Sequence, residues 1–380
     1  MYIILLCFVS FLFSQNSCPI ILIHGFLGWG RDELPNYYYW GGKIDLEQML
    51  KDAGHEVYTV SVGPISSNMD RAIETFYQIK GGQLDYGIIR SDSLGIIQKP
   101  TGKYYEGLYP QWCEKNPIHI IGHSQGGQTA RMLETLLKTH LNNEESILLS
   151  KIHNGWIKSI TTIATPHNGS TLVPIMINIF PFALDLAPWL GGIDIASINN
   201  LYSFDLEHWG VEKQDDESLF KYYQRIGNSS LAESKNLCSW DLSIEGSLEF
   251  NQNYKTDLNV YYFSFATSAT KKYLRNKYHM PDNFMSLHLR PTSRLMGKYK
   301  NVINHQWYEN DGICNTISMD GPAGSTIIKF DGHPIKGAWQ TMKKLKMDHQ
   351  AVVGHLSTKR ELELLFALYN NHARMLSSLQ

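Results

Sequence analysis

Apolar positions along this chain fall into two rhythms. Short, nearly unbroken runs, rich in β-branched residues, occur at PIILIHGF (19–26), EVYTVSV (56–62), PIHIIGH (117–123), IKSITTIATPH (157–167) and NVYYFSF (259–265), and each predicts a strand. After the third run the spacing changes: in GQTARMLETLL, Ala130, Leu133, Leu136 and Leu137 recur along one helical face. Strand runs separated by stretches long enough for helical crossovers predict a mostly parallel sheet flanked by helices, the α/β class. The rhythm breaks after residue 167, where about ninety residues precede the next strong run, so insertions are expected to decorate the central fold there. No internal repeat, low-complexity tract or long charge block interrupts the pattern.

Composition adds three constraints. The net charge of −2, with 18% charged residues, provides no basic field, which argues against nucleic acid as a partner and against a disordered chain. The apolar run at residues 2–13 is too short to span a membrane, and Ser14 supplies a small residue for cleavage, so residues 1–14 read as a secretory signal. Beyond it stand Cys18, Cys113, Cys238 and Cys314, an even number suited to an oxidising compartment but open to three pairings or to none. Asn168 and Asn228 each begin an N-x-Ser motif. No later segment reads as a membrane span, because residues 172–191 are broken by Pro174, Pro181 and Pro188.

The chemistry concentrates where strand gives way to helix. Gly122-His123-Ser124-Gln125-Gly126 places one serine between glycines in a sharp turn, an arrangement that presents a hydroxyl at a helix N-terminus. A serine there is either a nucleophile or a helix cap; the flanking glycines favour the nucleophile. Such a serine needs a base and a carboxylate to orient the base, and in α/β-hydrolases these follow in the order Asp, then His. Asp311 and His349 are the candidates, with His333 and His355 as rival bases. Oxyanion donors are expected from the backbone N–H of Gln125 and from Phe26 in the HGFLGWG turn.

With these residues in view, the chain resembles the large secreted bacterial lipases of the Geobacillus thermoalkalophilic and staphylococcal type. The likeness is carried by PIILIHGFLGWG, YWGG, IHIIGHSQGGQTARML, TTIATPHNGSTL, WYENDGICNTISMDGP and MDHQAVVG, spread from residue 19 to about 354. It implies an α/β-hydrolase fold in a single catalytic domain over 15–380, a Ser124–Asp311–His349 triad, and Phe26 and Gln125 as oxyanion donors. It also implies a lid-like insertion over about 172–210, consistent with the apolar VPIMINIFPFALDLAPWLGG, and a further inserted segment.

The resemblance implies two metal sites, and this chain departs from both. The zinc aspartates match Asp70 and Asp241, but Arg90 and Ile96 stand where the family has histidines. Two carboxylates without imidazoles make a poor zinc site, so the expectation is no metal and an ion pair in its place, with Arg90 bridging Asp70 and Asp241. Ala351 and Leu356 likewise replace carboxylates of the family's calcium site. The chain therefore reads as a secreted carboxylic-ester hydrolase without cofactors, first a triacylglycerol lipase working at a lipid–water interface. A phospholipase A or short-chain esterase is the alternative within the class, and a non-catalytic lipid-binding protein is the alternative outside it.

Overall fold

The computed structural model describes residues 16–179, 204–214, 217–273, 278–302 and 304–380. The expected signal at 1–14 and residues 180–203 of the lid-like insertion lie outside the described residues.

Eleven strands are present among the described residues: β1 (Ile20–Ile23), β2 (Val57–Val60), β3 (Gly82–Gln83), β4 (Tyr104–Tyr105), β5 (Ile118–His123), β6 (Ile157–Ile163), β7 (Tyr261–Phe265), β8 (Thr270–Tyr273), β9 (Tyr278–Pro281), β10 (Ile327–Lys329) and β11 (Trp339–Thr341). Seven form one sheet in the order β10-β11-β7-β6-β5-β1-β2, with every pairing parallel. All five runs read from the sequence form strands in it. β3 pairs with β4, and β8 with β9, as separate antiparallel ribbons.

The run IILI of β1 is apolar at every position because both of its faces are covered. Ile20 and Leu22 face one hydrophobic cluster, and Ile21 and Ile23 face the other. On the first side pack helix α1 (Leu46–Asp52), through Leu46 and Leu50, and the C-terminal helix Lys359–Ser377, through Leu365, Tyr369, Ala373 and Leu376. On the second side pack α2 (Asn68–Lys80) and, beyond the short α3 (Ile88–Leu94), α4 (Gln125–Leu137). Ala130, Leu133, Leu136 and Leu137, the face read from the sequence, are all buried there. Among the described residues no helix is long and apolar enough to cross a membrane.

The start of the insertion forms α5 (Leu172–Ile179), whose Leu172 and Ile175 pack against Met296. Cys18, Cys113, Cys238 and Cys314 are all unpaired. Asn228 is exposed, whereas the Asn168 side chain is tied to Gly321, Ala323 and Asn251 by three hydrogen bonds.

Candidate active site

Parallel strands point their carboxyl ends to one edge of the sheet, and a ligand crevice is expected there. Three non-glycine residues with positive φ gather at that edge: Leu27 (53°) beyond β1, Ser124 (55°) after β5 and Ala164 (52°) after β6. Conformations of this kind persist only where the surroundings enforce them, and they cluster at functional sites. Ser124 takes the N-cap position of α4, yet its side chain makes no capping hydrogen bond. The hydroxyl is thus not used for the helix, which disposes of the capping alternative.

The flanking glycines have a steric cause. A Cβ on Gly122 would lie 2.4 Å from the Gly126 carbonyl carbon, and one on Gly126 would lie 2.1 Å from the Ile23 carbonyl oxygen. Only bare backbone lets strand, turn and β1 approach this closely.

His349 and Asp311 meet although 38 residues separate them: His349 Nδ1 is 2.7 Å from Asp311 Oδ2. Asp311 is fully buried, and its remaining capacity is filled by Thr267 Oγ1 at 2.6 Å on Oδ2 and by the N–H groups of Ile313 (3.0 Å) and Cys314 (2.7 Å) on Oδ1. With Oδ2 accepting the Nδ1 proton, His349 Nε2 is left as the nitrogen free to take a proton. Ser124, His349, Phe26 and Ile313 line one cavity. In this state the Cys314 thiol lies beside the Ser124 hydroxyl, with burial raising the thiol pKa well above its ordinary value and that hydroxyl lowering it. Catalytic hydrogen bonds often tighten only in the substrate complex.

The rival histidines are placed elsewhere. His333 is exposed on a surface turn. His355 is buried, hydrogen-bonds Tyr37 and has its pKa lowered to about 4 by burial.

Two residues that the sequence did not single out connect the parts of the site. The Gly25 N–H donates to Tyr39 Oη at 2.8 Å, Tyr39 Oη is 2.5 Å from His123 Nδ1, and His123 Nε2 is 3.0 Å from the carbonyl of His349. One tautomer satisfies all three contacts: the tyrosine donates to Nδ1, and Nε2–H donates to the carbonyl. Burial, with help from His349, drives the His123 pKa well below its ordinary value, so the ring remains a neutral connector. The turn carrying Phe26 is thereby linked to the backbone of the histidine. Buried Arg71 braces the same turn from α2, donating to the carbonyls of His24 and Gly63 and to Thr129 of α4. Gln125, the other expected oxyanion residue, opens α4 fully buried, its side-chain amide donating to the Ser66 carbonyl.

The expected ion pair forms only in part. Arg90, on α3, is salt-bridged to Asp70, which is fully buried. Asp241 is not part of that pair, contrary to the sequence expectation. Its Oδ2 instead accepts the Asn68 N–H at 2.5 Å, and burial raises its carboxyl pKa to about 7. The further partners of Asp70 are His208 Nε2 at 3.2 Å and Trp209 Nε1 at 3.3 Å. Burial pushes the Asp70 pKa up, but Arg90 and His208 outweigh it and the net shift is downward. A guanidinium against Asp70, an apolar buried Ile96 and a carboxyl spent on a backbone N–H do not fit zinc, which needs four N, S or O ligands.

Removing Arg90 leaves Asp70 buried and short of its main counter-charge. Arg90→Ala is therefore expected to lower unfolding free energy by on the order of 3 kcal/mol near neutral pH, read from urea midpoints. Because the Asp70 pKa is depressed in the fold, this gap is full above the ordinary carboxylate range and closes as pH falls through the folded value. An unchanged midpoint at neutral pH would show that the pair contributes nothing.

The residues that replace the calcium ligands are no better suited to a cation. Leu356 is exposed, and Asp348, the carboxylate next to His349, is consumed by Ser286 N and Oγ and by the N–H groups of Gln350 and Ala351. Among the described residues, Asp311, Cys314 and His349 are grouped closely enough to share a metal, but the Asp311 oxygens are already filled as described above.

Residues 16–377 match the profile of the lipase-like, C-terminal domain family. A lipase of Staphylococcus epidermidis is 36% identical over 362 residues, covering 90% of this chain and 51% of that protein. The chain thus spans about half the length of the curated relatives it matches. Among solved structures, EstA from Clostridium botulinum superposes with a TM-score of 0.87 at 36% identity, covering 96% of this chain and 88% of that one. Lipase 1 from Pelosinus fermentans gives 0.83 at 37%, covering 96% and 100%.

Proposed function

The chain belongs to the lipase-like, C-terminal domain family, and from that premise we propose that it is a carboxylic-ester hydrolase of lipid esters, foremost a triacylglycerol lipase, acting through an acyl-enzyme on Ser124. The observation that carries this reading is the 2.7 Å contact of His349 Nδ1 with Asp311 Oδ2 in a ring whose cavity also holds Ser124.

Ser124 Oγ attacks the ester carbonyl carbon while His349 Nε2 takes its proton. The carbonyl oxygen becomes an oxyanion, received by the N–H groups of Phe26 and Gln125. Asp311 stabilises the imidazolium, which then protonates the departing alcohol as the C–O bond breaks. Water, deprotonated by the same nitrogen, attacks the acyl-enzyme; the carboxylic acid leaves, and Ser124 recovers its proton from His349.

A phospholipase A or a short-chain esterase would use the same steps and differ in the pocket that holds the acyl chain and head group. A non-catalytic lipid binder has no use for a strained, uncapped serine beside an aspartate-oriented imidazole, and that observation favours the enzyme. The same reading takes residues 1–14 as a secretory signal and the product as an extracellular enzyme. It dispenses with zinc and calcium, given the donor sets described above.

The test is a panel of emulsified triglycerides, phospholipid vesicles and soluble short-chain esters, assayed with and without excess EDTA. Hydrolysis of triglycerides in preference to phospholipids, unchanged by chelator, is the expected outcome. Turnover of none of the esters would overturn the enzyme reading, and inactivation reversed by added zinc or calcium would overturn the metal-free one.

A further inference from the structure

Residues 270–300 break the charge pattern of the chain. Their described part holds Lys271, Lys272, Arg290, Arg294, Lys298 and Lys300 against a single acid, Asp282, in a protein whose 34 Lys and Arg are outnumbered by 36 Asp and Glu. Five of the six basic residues are exposed, and Arg290 is half-buried. Among the described residues only Lys271 meets an acid, Asp282 at 3.7 Å.

The same segment exposes apolar side chains. In the loop after β9, Met285 and Leu289 are buried against Ala269 and Ile313, whereas Phe284 is 47% exposed and Leu287 76% exposed. Arg290 straddles Phe284, donating to the carbonyls of Asn283 (2.8 Å) and Met285 (3.1 Å). Along the chain, Phe284 thus lies between Asp282, the partner of Lys271, and Arg290, which bonds the carbonyls on either side of it.

This projection is bound to the active site. Ser286 donates through N (2.8 Å) and Oγ (2.7 Å) to Asp348, and His288 Nε2 is 2.7 Å from Gln350 Oε1. Asp348 and Gln350 are the two chain neighbours of His349, and Ile313, under the loop, lines the cavity that contains Ser124. The helix that continues from Arg290 also holds Met296, against which α5, at the start of the insertion, is packed.

We propose that this basic, apolar projection, formed by β8, β9 and the loop and helix that follow, seats the mouth of the active site on an anionic lipid surface. Phe284 and Leu287 enter the boundary between head groups and acyl chains, and the basic residues around them attract the negative head groups. Neutral water-soluble partners do not match the charge, and polyanions without lipid offer nothing to the apolar pair. The rigid ties to Asp348 and Gln350 hold His349 at a fixed distance from that surface. The purpose of the site rests on the lipid-ester reading above, but its test reads binding and not turnover, so either can fail without the other.

The full chain carrying Ser124→Ala is sedimented with phosphatidylcholine vesicles, with and without about a third phosphatidylglycerol. Binding to the anionic vesicles is expected to be at least about tenfold tighter and to weaken as salt rises. Adding Phe284→Ser with Leu287→Ser is expected to weaken it about tenfold or more, with an unchanged thermal midpoint as the folding control. Lys271→Glu with Lys298→Glu is expected to abolish the preference for anionic over neutral vesicles. Equal binding to both vesicle types, or binding to anionic vesicles that survives loss of Phe284 and Leu287, would overturn the proposal. So would retention on heparin as tight as on the anionic vesicles.

Discussion

Ser124→Ala is expected to lower kcat for a soluble short-chain ester by on the order of 10⁶-fold, with KM and the thermal midpoint nearly unchanged. The large effect follows from the mechanism, because without Oγ no acyl-enzyme forms and only the oxyanion donors and substrate binding remain to help water. The small effect on stability follows from the structure. The Ser124 side chain caps nothing, and alanine inherits the same positive φ without adding strain of a new kind. Steady-state kinetics and thermal unfolding on the same preparation check both halves. A variant within tenfold of the wild type would remove Ser124 from the chemistry, and a variant that unfolds would mean that the serine is structural.

Asp311→Asn is expected to cost about 10⁴-fold in kcat, and the reason lies in which oxygen faces which donor. Oδ1 accepts two backbone N–H groups, from Ile313 and Cys314, so the oxygen of an asparagine amide is held on that side. Its NH₂ then takes the place of Oδ2 and points a donor at His349 Nδ1. The imidazole must accept there and carry its proton on Nε2, the nitrogen that has to receive the serine proton. Thr267 Oγ1, which donates to Oδ2 in the wild type, has to rotate as well. The KM should change little, since no substrate contact is lost. A decrease below about tenfold would show that the tautomer of His349 is not controlled by this carboxylate.

How far the chain could be read in advance depends on the range of the interactions involved. The Ser124 turn was legible because its requirements are local: two glycines, a buried strand before them and a helical face after them. β1, β2, β5, β6 and β7 were legible for the same reason, each lying within a local run rich in apolar and β-branched residues. β10 and β11 were not, because IIK and WQT are three residues long and take their places, at the sheet edge and next to it, from their neighbours, not from a pattern of their own. The C-terminal helix did carry a local signal, Thr358 followed three residues later by Glu361, and the structure forms the reciprocal cap that this spacing allows.

Long-range pairings divide in the same manner. The Ser, Asp, His order and the family motifs pointed to Asp311 and His349, and the fold brings these two together. The Tyr39–His123 connection left no periodic trace, since each is a single residue whose partner is set by tertiary approach. His123, inside the Gly122–Gly126 pentapeptide and followed by the strained serine, and Tyr39, in YWGG, were nevertheless within motifs already marked. At the substituted metal position, Arg90 beside Asp70 could be anticipated from charge replacing charge. The role of His208, 138 residues away from Asp70, could not, and neither could the capture of Asp241 by a backbone N–H.

In the proposed reaction Ser124 becomes a nucleophile because an aspartate-oriented imidazole shares its cavity. This is tested most directly by treating the protein with diethyl p-nitrophenyl phosphate, digesting it and locating the adduct by mass spectrometry. One stoichiometric diethylphosphoryl group is expected on Ser124, formed far more slowly in Asp311→Asn. An unmodified Ser124 peptide from the wild type, or a label on another residue, would contradict it.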